Sequence, residues 1–241
     1  WIYNPNTDNR YGTFHTANVD FTQIFDNKSE LKISLLYENS GLSRELENQN
    51  FDYSPSTDKA GEKELHYKQT DDTPLEGYRL SIDYSKKLDN GHTLGFGLQP
   101  QIFNITGGFG YDTLGIANNS FSAYESLENE VEQTRGIYAG YADYSGSVGD
   151  LSFIAGLRLE YTDQEMDIIK EDYFSIFDGQ KKSNYKVNKL DWFPTLHLNY
   201  KLSENDQLSF ASSRRISRPP IKNMAPFLYR RHLEVYVAGA P

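Results

Sequence analysis

Apolar and polar residues alternate with a period of two wherever this chain is regular. In Leu31-Lys32-Ile33-Ser34-Leu35-Leu36-Tyr37, one face carries Leu31, Ile33, Leu35 and Tyr37, and Lys32 and Ser34 take the other. The segment Tyr78-Arg79-Leu80-Ser81-Ile82-Asp83-Tyr84 is stricter, with Arg79, Ser81 and Asp83 opposite four apolar side chains. Leu151, Phe153, Ala155, Leu157, Leu159 and Tyr161 alternate with Ser152, Gly156, Arg158 and Glu160. Between Leu190 and Leu202, Trp192, Leu196, Leu198 and Tyr200 oppose Thr195, His197, Asn199 and Lys201. Weaker alternation predicts strands near 13–25, 92–103, 135–144 and 207–217, which makes eight strands in all. One phase stays open. Over 136–144, Gly136, Tyr138, Gly140, Ala142 and Tyr144 compete with Ile137, Ala139 and Tyr141 for the apolar face.

The connections are strongly unequal. Four are short and turn-like, at 26–29, 88–91, 145–150 and 203–206, whereas those at about 40–76, 104–134 and 163–188 read as long polar loops. Loops of about 30 residues are uncommon in a compact soluble domain. In an outer-membrane β-barrel the asymmetry is expected, with short periplasmic turns and long extracellular loops.

Aromatic positions sharpen this reading, since Tyr, Phe and Trp make up 14% of the chain. Phe25, Tyr84, Tyr144 and Tyr200 lie close to the short turns, while Tyr37, Tyr78, Phe103, Tyr161 and Trp192 lie close to the long loops. Two such rows are where the aromatic girdles of a bilayer-spanning barrel would sit, although Tyr and Phe are common in any sheet.

Charge follows the same division. The chain has 241 residues and a formal net charge of -10, from 34 acids and 24 bases. Segments 43–76, 104–134 and 162–188 together hold 20 of those acids and 8 of the bases, so the acidity belongs to the loops. An acidic chain without a basic face argues against nucleic-acid binding. With no cysteine, disulfides, thiolate metal sites and a cysteine nucleophile are excluded. No apolar run approaches the roughly 18 residues of a membrane helix, but barrel strands escape that criterion. The first residues have neither the basic start nor the apolar core of a secretory leader. With the short turns in the periplasm, the first and eighth strands would both have their free ends outside the cell. That predicts a partial barrel, with Leu233-Glu234-Val235-Tyr236-Val237 opening a further strand.

Asp191-Trp192-Phe193-Pro194-Thr195-Leu196-His197-Leu198-Asn199-Tyr200-Lys201-Leu202, followed by Gln207-Leu208-Ser209-Phe210-Ala211-Ser212-Ser213-Arg214-Arg215-Ile216-Ser217-Arg218-Pro219, resembles the barrel of TonB-dependent outer-membrane receptors. The closer likeness is to the outer-membrane β-barrel family common in Bacteroidetes. Gly156-Leu157-Arg158-Leu159-Glu160-Tyr161-Thr162 and Gly239-Ala240-Pro241 share it. The likeness is clearest over 136–241 and rests on structural rather than catalytic signatures. It implies an all-β fold of antiparallel up-and-down transmembrane strands, about eight of a 22-stranded barrel, in the bacterial outer membrane. It further implies uptake of a scarce small ligand such as a metal chelate, glycan or peptide. The drive would come from the TonB complex through a plug domain, and neither plug nor TonB box occurs in these residues. Outer-membrane lipid is the remaining implied partner.

Catalytic and cofactor motifs are sought without success. No His-Glu-x-x-His, P-loop or Gly-x-Ser-x-Gly pattern occurs. Gly107-Gly108-Phe109-Gly110 lacks the strand-to-helix unit that would aim amides at phosphate. Asp163, Glu165 and Asp167 begin like a calcium loop, but Ile168 stands where glycine is required. Glu45, Glu47, Asp71 and Asp72 are the available carboxylates for glycoside hydrolysis, and the five histidines show no ligand spacing. The expectation is no enzyme, no cofactor and no metal. Arg214, Arg215 and Arg218 are the candidate contacts for ligand or lipopolysaccharide, with Arg215 on the lumen face and Arg214 near the rim. The alternatives are a soluble, secreted all-β binding module, for example for glycans, and a glycosidase on a β-scaffold.

Overall fold

A computed structural model describes residues 2–115, 119–170, 183–219, 221–224, 228–232 and 235–238. Its strands, in chain order, are β1 (Ile2–Tyr3), β2 (Asn6–Ile24), β3 (Ser29–Ser54), β4 (Lys59–Asp72), β5 (Leu75–Lys87), β6 (Thr93–Gly115) and β7 (Ser120–Ala123). There follow β8 (Asn129–Val148), β9 (Leu151–Ile168), β10 (Asn184–Lys201), β11 (Gln207–Ser213), β12 (Leu228–His232) and β13 (Val235–Ala238). All pairings are antiparallel. Strands β1 to β11 form one up-and-down sheet in which successive long strands are neighbours. β1 and β2 share one edge of β3, β5 and β4 share its other edge, and β7 and β8 likewise lie end to end along β6. The sheet therefore has eight columns, and all eight predicted strands are present. Among the described residues it does not close on itself: the outer edges of β2 and β11 have no partner.

Short turns join the strands at one end. Gly91 and Gly149 take positive φ values of 81° and 59° there, a region where glycine alone carries no steric cost. At the opposite end the strands run on well past the predicted boundaries. The segments read as loops, 40–76 and 104–134, are mostly strand, as is much of 163–188, whose residues 171–182 lie outside the described residues. From Tyr37 to Ser54, β3 continues for about 56 Å along the strand at roughly 3.3 Å per residue. Cross-strand pairing replaces the expected loop. Over these stretches the apolar alternation that reveals a half-buried strand is weak or changes parity.

Register fixes the two faces, because residues directly opposite in a ladder share a side. Ile33 faces Ile82 and Phe21, Ile82 faces Leu98, Leu98 faces Gly140, and Gly140 faces Leu159 beside Trp192. This makes a continuous outward apolar band. It settles the open phase near 136–144: Tyr138, Gly140, Ala142 and Tyr144 point outward, and Ile137, Ala139 and Tyr141 inward. Small residues there leave room for larger neighbours, as where Leu98 leans over Gly140. The inward Gly97 is covered by the ring of Tyr141, so that a Cβ would fall inside it. Strongly exposed apolar side chains such as Val19, Leu98, Leu190 and Phe210 have no place on a surface in water; they fit contact with lipid.

The band is edged by rings. Tyr37 packs on Tyr78 at 5.1 Å between centroids, and Tyr138 on Tyr161 at 6.5 Å, at the long-stranded end. Tyr144 meets Phe153 at 5.6 Å at the turn end. Phe153 to Tyr161 on β9 spans about 27 Å of strand, enough for a tilted bilayer crossing. Phe103 does not belong to this girdle. It pairs with Gly77 and Arg135 on the inner face, and Ile102 takes the outward place.

Two expectations about the last residues change. β11 ends at Ser213 rather than near 217. Val235–Ala238 is a strand, but it pairs with Leu228–His232 in a separate two-stranded ribbon and opens no ninth column; Leu233 and Glu234 lie outside the described residues.

Candidate functional site

After Ser213 the chain turns across the inner face of the sheet. The Arg214 amide donates to the Pro194 carbonyl at 3.2 Å, which ends the ladder with β10. Arg218 then reaches β9, donating to Glu160 Oε2 at 2.6 Å and Thr162 Oγ1 at 3.4 Å. The helical turn Ile221–Met224 sets Met224 into an apolar cluster with Phe109, Val131, Met166 and Ile168. This strap thus passes over β10, β9, β8 and β6 in turn. It borders an open chamber of about 810 Å³ against β2, β3, β4, β6 and β8, lined by Arg10, Arg44, Asp71, Arg135 and Arg218 with Ile105 and Phe109.

The register explains why the arginines converge. Arg10 lies opposite Arg44, Arg44 opposite Asp71, and Asp71 opposite Phe109, one inward row across four strands. Two like charges directly opposite would repel, and Asp8 resolves the conflict. It accepts from Arg44 Nε at 2.8 Å and from Arg10 Nη2 at 2.9 Å. Those hydrogen bonds hold the Asp8 carboxyl well below the usual carboxylate range and raise Arg44 in return. Arg135 is placed differently. Its Nε donates to Gln164 at 3.0 Å and its Nη2 to Gln133 at 3.2 Å, both neutral amides, and no ion pair is formed to it among the described residues. Burial, and to a lesser degree the Arg218 guanidinium, pull Arg135 below its ordinary value.

Deeper in the lumen a second polar network fills the inner face. Arg158 bridges Glu160 at 2.7 Å and Gln99 at 2.8 Å and lies over the Tyr141 ring at 5.4 Å, while Tyr141 donates to Asp83. A wet lumen behind a lipid-facing band is the partition a membrane barrel requires. The sequence agrees. The family model of the outer membrane protein beta-barrel family matches residues 5–241. The chain belongs to that family. Its place is the bacterial outer membrane, in contact with outer-membrane lipid, which removes the soluble secreted module from consideration. No curated protein matches the chain.

Of the three arginines singled out from sequence, only Arg218 lines the chamber. Arg214 pairs with Asp191 at 3.4 Å and lies over the Trp192 and Phe193 rings at 5.4 and 5.8 Å. Arg215 is exposed beyond the end of β11, so no ladder fixes it to the lumen face. Arg10, Arg44 and Arg135 were missed: the first two sit in segments whose strand character the apolar pattern hides, and Arg135 opens a predicted strand, at 135–144, whose phase the pattern leaves open. The other candidate residues fall at several places on the sheet. Asp71 faces inward, whereas Glu45, Glu47 and Asp72 share the outward face, Asp72 beside Ser43 and Glu47 with His66 at 2.6 Å. Gly107 to Gly110 are interior to β6. Asp163 and Glu165 face outward, in a ladder with Asn188 and Lys186, and no group of three metal-ligating side chains forms among the described residues.

Proposed function

We propose that these strands are part of the barrel of a TonB-dependent receptor of Bacteroidetes type, which imports a scarce ligand and performs no catalysis itself. The observation that carries this reading is the continuation of β3, β4 and β6 far beyond the Tyr37–Tyr78 ring, around an inner chamber. A simple membrane anchor has no use for walls of that height. A receptor does, since ligand must be captured outside before it crosses. By the rule of the class, the short turns then face the periplasm and the tall walls the exterior.

The open edges of β2 and β11 point the same way. The hydrocarbon core tolerates no unpaired strand edge, so further strands must lie against both. A 22-stranded barrel with a plug and TonB contact would supply them. The test begins with the gene product in source cells, fractionated and probed with an antibody against residues 163–188. A detergent-extracted outer-membrane species well above 27.6 kDa is expected. Growth on limiting chelates, glycans or peptides should then require both this gene and an intact TonB complex. Uptake that persists without TonB would overturn the receptor reading and leave a passive pore.

A further inference from the structure

The strapped chamber has the size of a ligand site, and its charge is not balanced from within. Its volume of about 810 Å³ lies inside the roughly 300–1,000 Å³ range of small-molecule pockets. Four guanidiniums line it, those of Arg10, Arg44, Arg135 and Arg218, and the carboxylates paired with them are Asp8, Asp71 and Glu160. Asp8 and Asp71 serve the first two arginines, and Glu160 is shared between Arg158 and Arg218. Arg135 is left with two amides. A guanidinium has five donors in a rigid fork suited to carboxylate or phosphate. Here two are taken by neutral acceptors that hold the fork in place without neutralising it.

We propose that the chamber binds a compact polyvalent oxyanion, bearing carboxylate or phosphate groups, between Arg135 and Arg218. Ile105 and Phe109 give the chamber one apolar wall, so the charged groups of the ligand are met on the arginine side. The overall chain is acidic, with a net charge of -10. A basic chamber inside an acidic shell selects anions by site rather than by general attraction.

This inference deepens the uptake reading and rests on it for its biological sense, but equilibrium binding needs no energised transport. The experiment uses the full-length gene product in detergent, titrated calorimetrically with citrate and separately with pyrophosphate. At least one probe should bind. Arg135→Gln should weaken it about tenfold or more, the effect of losing one charge-assisted pair. Arg79→Gln, inward and exposed but outside the chamber, should leave binding unchanged. Migration on gels before and after heating verifies that each variant is folded, and Arg135→Lys keeps the charge if the glutamine variant fails to fold. The lysine variant should still bind, less tightly. The proposal is overturned if neither probe binds the folded wild type at millimolar concentration, or if Arg79→Gln weakens binding as much as Arg135→Gln. Anion binding without TonB-dependent uptake would leave the chamber standing and sink the uptake reading alone.

Discussion

The same strands are built inside out on one side of the tyrosine ring and right side out on the other. Between the girdles, β9 turns Leu157, Leu159 and Tyr161 outward and keeps Arg158 and Glu160 inward. Six residues further on, its buried apolar side chains are Met166 and Ile168, which face inward, and Asp163, Glu165 and Asp167 face out. β6 makes the same exchange, from outward Phe96, Leu98 and Ile102 to inward Ile105, Phe109 and Tyr111. β10 shows it in reverse order, with Tyr185 packed on the inner cluster and Leu190 and Trp192 outward. Along β6, β9 and β10 the register runs unbroken and the phase does not change. What changes is the solvent outside: lipid along the band, water beyond it. Apolar residues follow the dry side in both regions, and the parity switch in the sequence marks the membrane boundary.

The comparison can be broken most sharply in the upper cluster. Met166 is 1% exposed among Phe109, Val131, Ile168 and Met224, so Met166→Ala should cost about 2–5 kcal/mol as a cavity opens. Its outward neighbour Asp167 should tolerate alanine within about 0.5 kcal/mol. Denaturant unfolding of the full-length protein in lipid vesicles measures both. In the band the order must invert. Ile82→Arg places a charge in lipid and should cost about 2–4 kcal/mol, as should Ile33→Arg beside it. Ser209→Arg, inward on β11 and exposed, should change stability by about 0.5 kcal/mol or less. Equal tolerance of Ile82→Arg and Ser209→Arg would show that the band does not meet lipid.

This inversion also explains what was legible beforehand. Within the band the outward face is apolar over a long run and the inward face is polar, so a period of two is plain in Leu31–Tyr37 and Tyr78–Tyr84. Beyond the ring, the outward residues are polar and the inward ones mix Asn48, Asn50 and Gln133 with Tyr67 and Val131, all buried. Burial without apolarity leaves no pattern, and strands of that kind read as loops. Arg44 and Arg10 are 34 positions apart and become neighbours only through register. Arg218 could be suspected from its motif, yet its partner Glu160 belongs to another strand. Nothing in sequence spacing announces the chamber, since its walls come from five columns and a returning strap.

The strap belongs to neither region and ties the two together, through Arg218 on Glu160 at one end and Met224 in the upper cluster at the other. Glu160→Gln deprives Arg158 and Arg218 of their shared carboxylate, and should weaken strap docking by about 1.5–3 kcal/mol, the range for hydrogen bonds to charged groups. Hydrogen exchange at residues 214–218 and 221–224 should quicken while β9 and β10 stay protected. If exchange in the strap is unchanged, Met224 alone holds it, and the lumen network contributes nothing to its position.

The smallest expected effect concerns the tip of β2, where pairing with β3 continues far above the lipid. Asp8 joins Arg10 on its own strand to Arg44 on the next, and its carboxyl is held well below the usual range by those guanidiniums, Arg44 first. A depressed carboxylate contributes stability that is complete above its unfolded value, about pH 4, and is lost as pH falls through the lower folded value. The tie should therefore persist at pH 4 and fade only in stronger acid. Exposed ion pairs are weak and screened by salt, so the signal is local rather than global. Protection of the β2 amides near Arg10 should fall below pH 4, while those of Val19 and Phe21 in the band keep theirs. Asp8→Asn should abolish that pH dependence and lower protection at neutral pH. If both ends of β2 instead lose protection together in acid, the strand opens as one unit, and the boundary drawn at the tyrosine ring does not divide its stability.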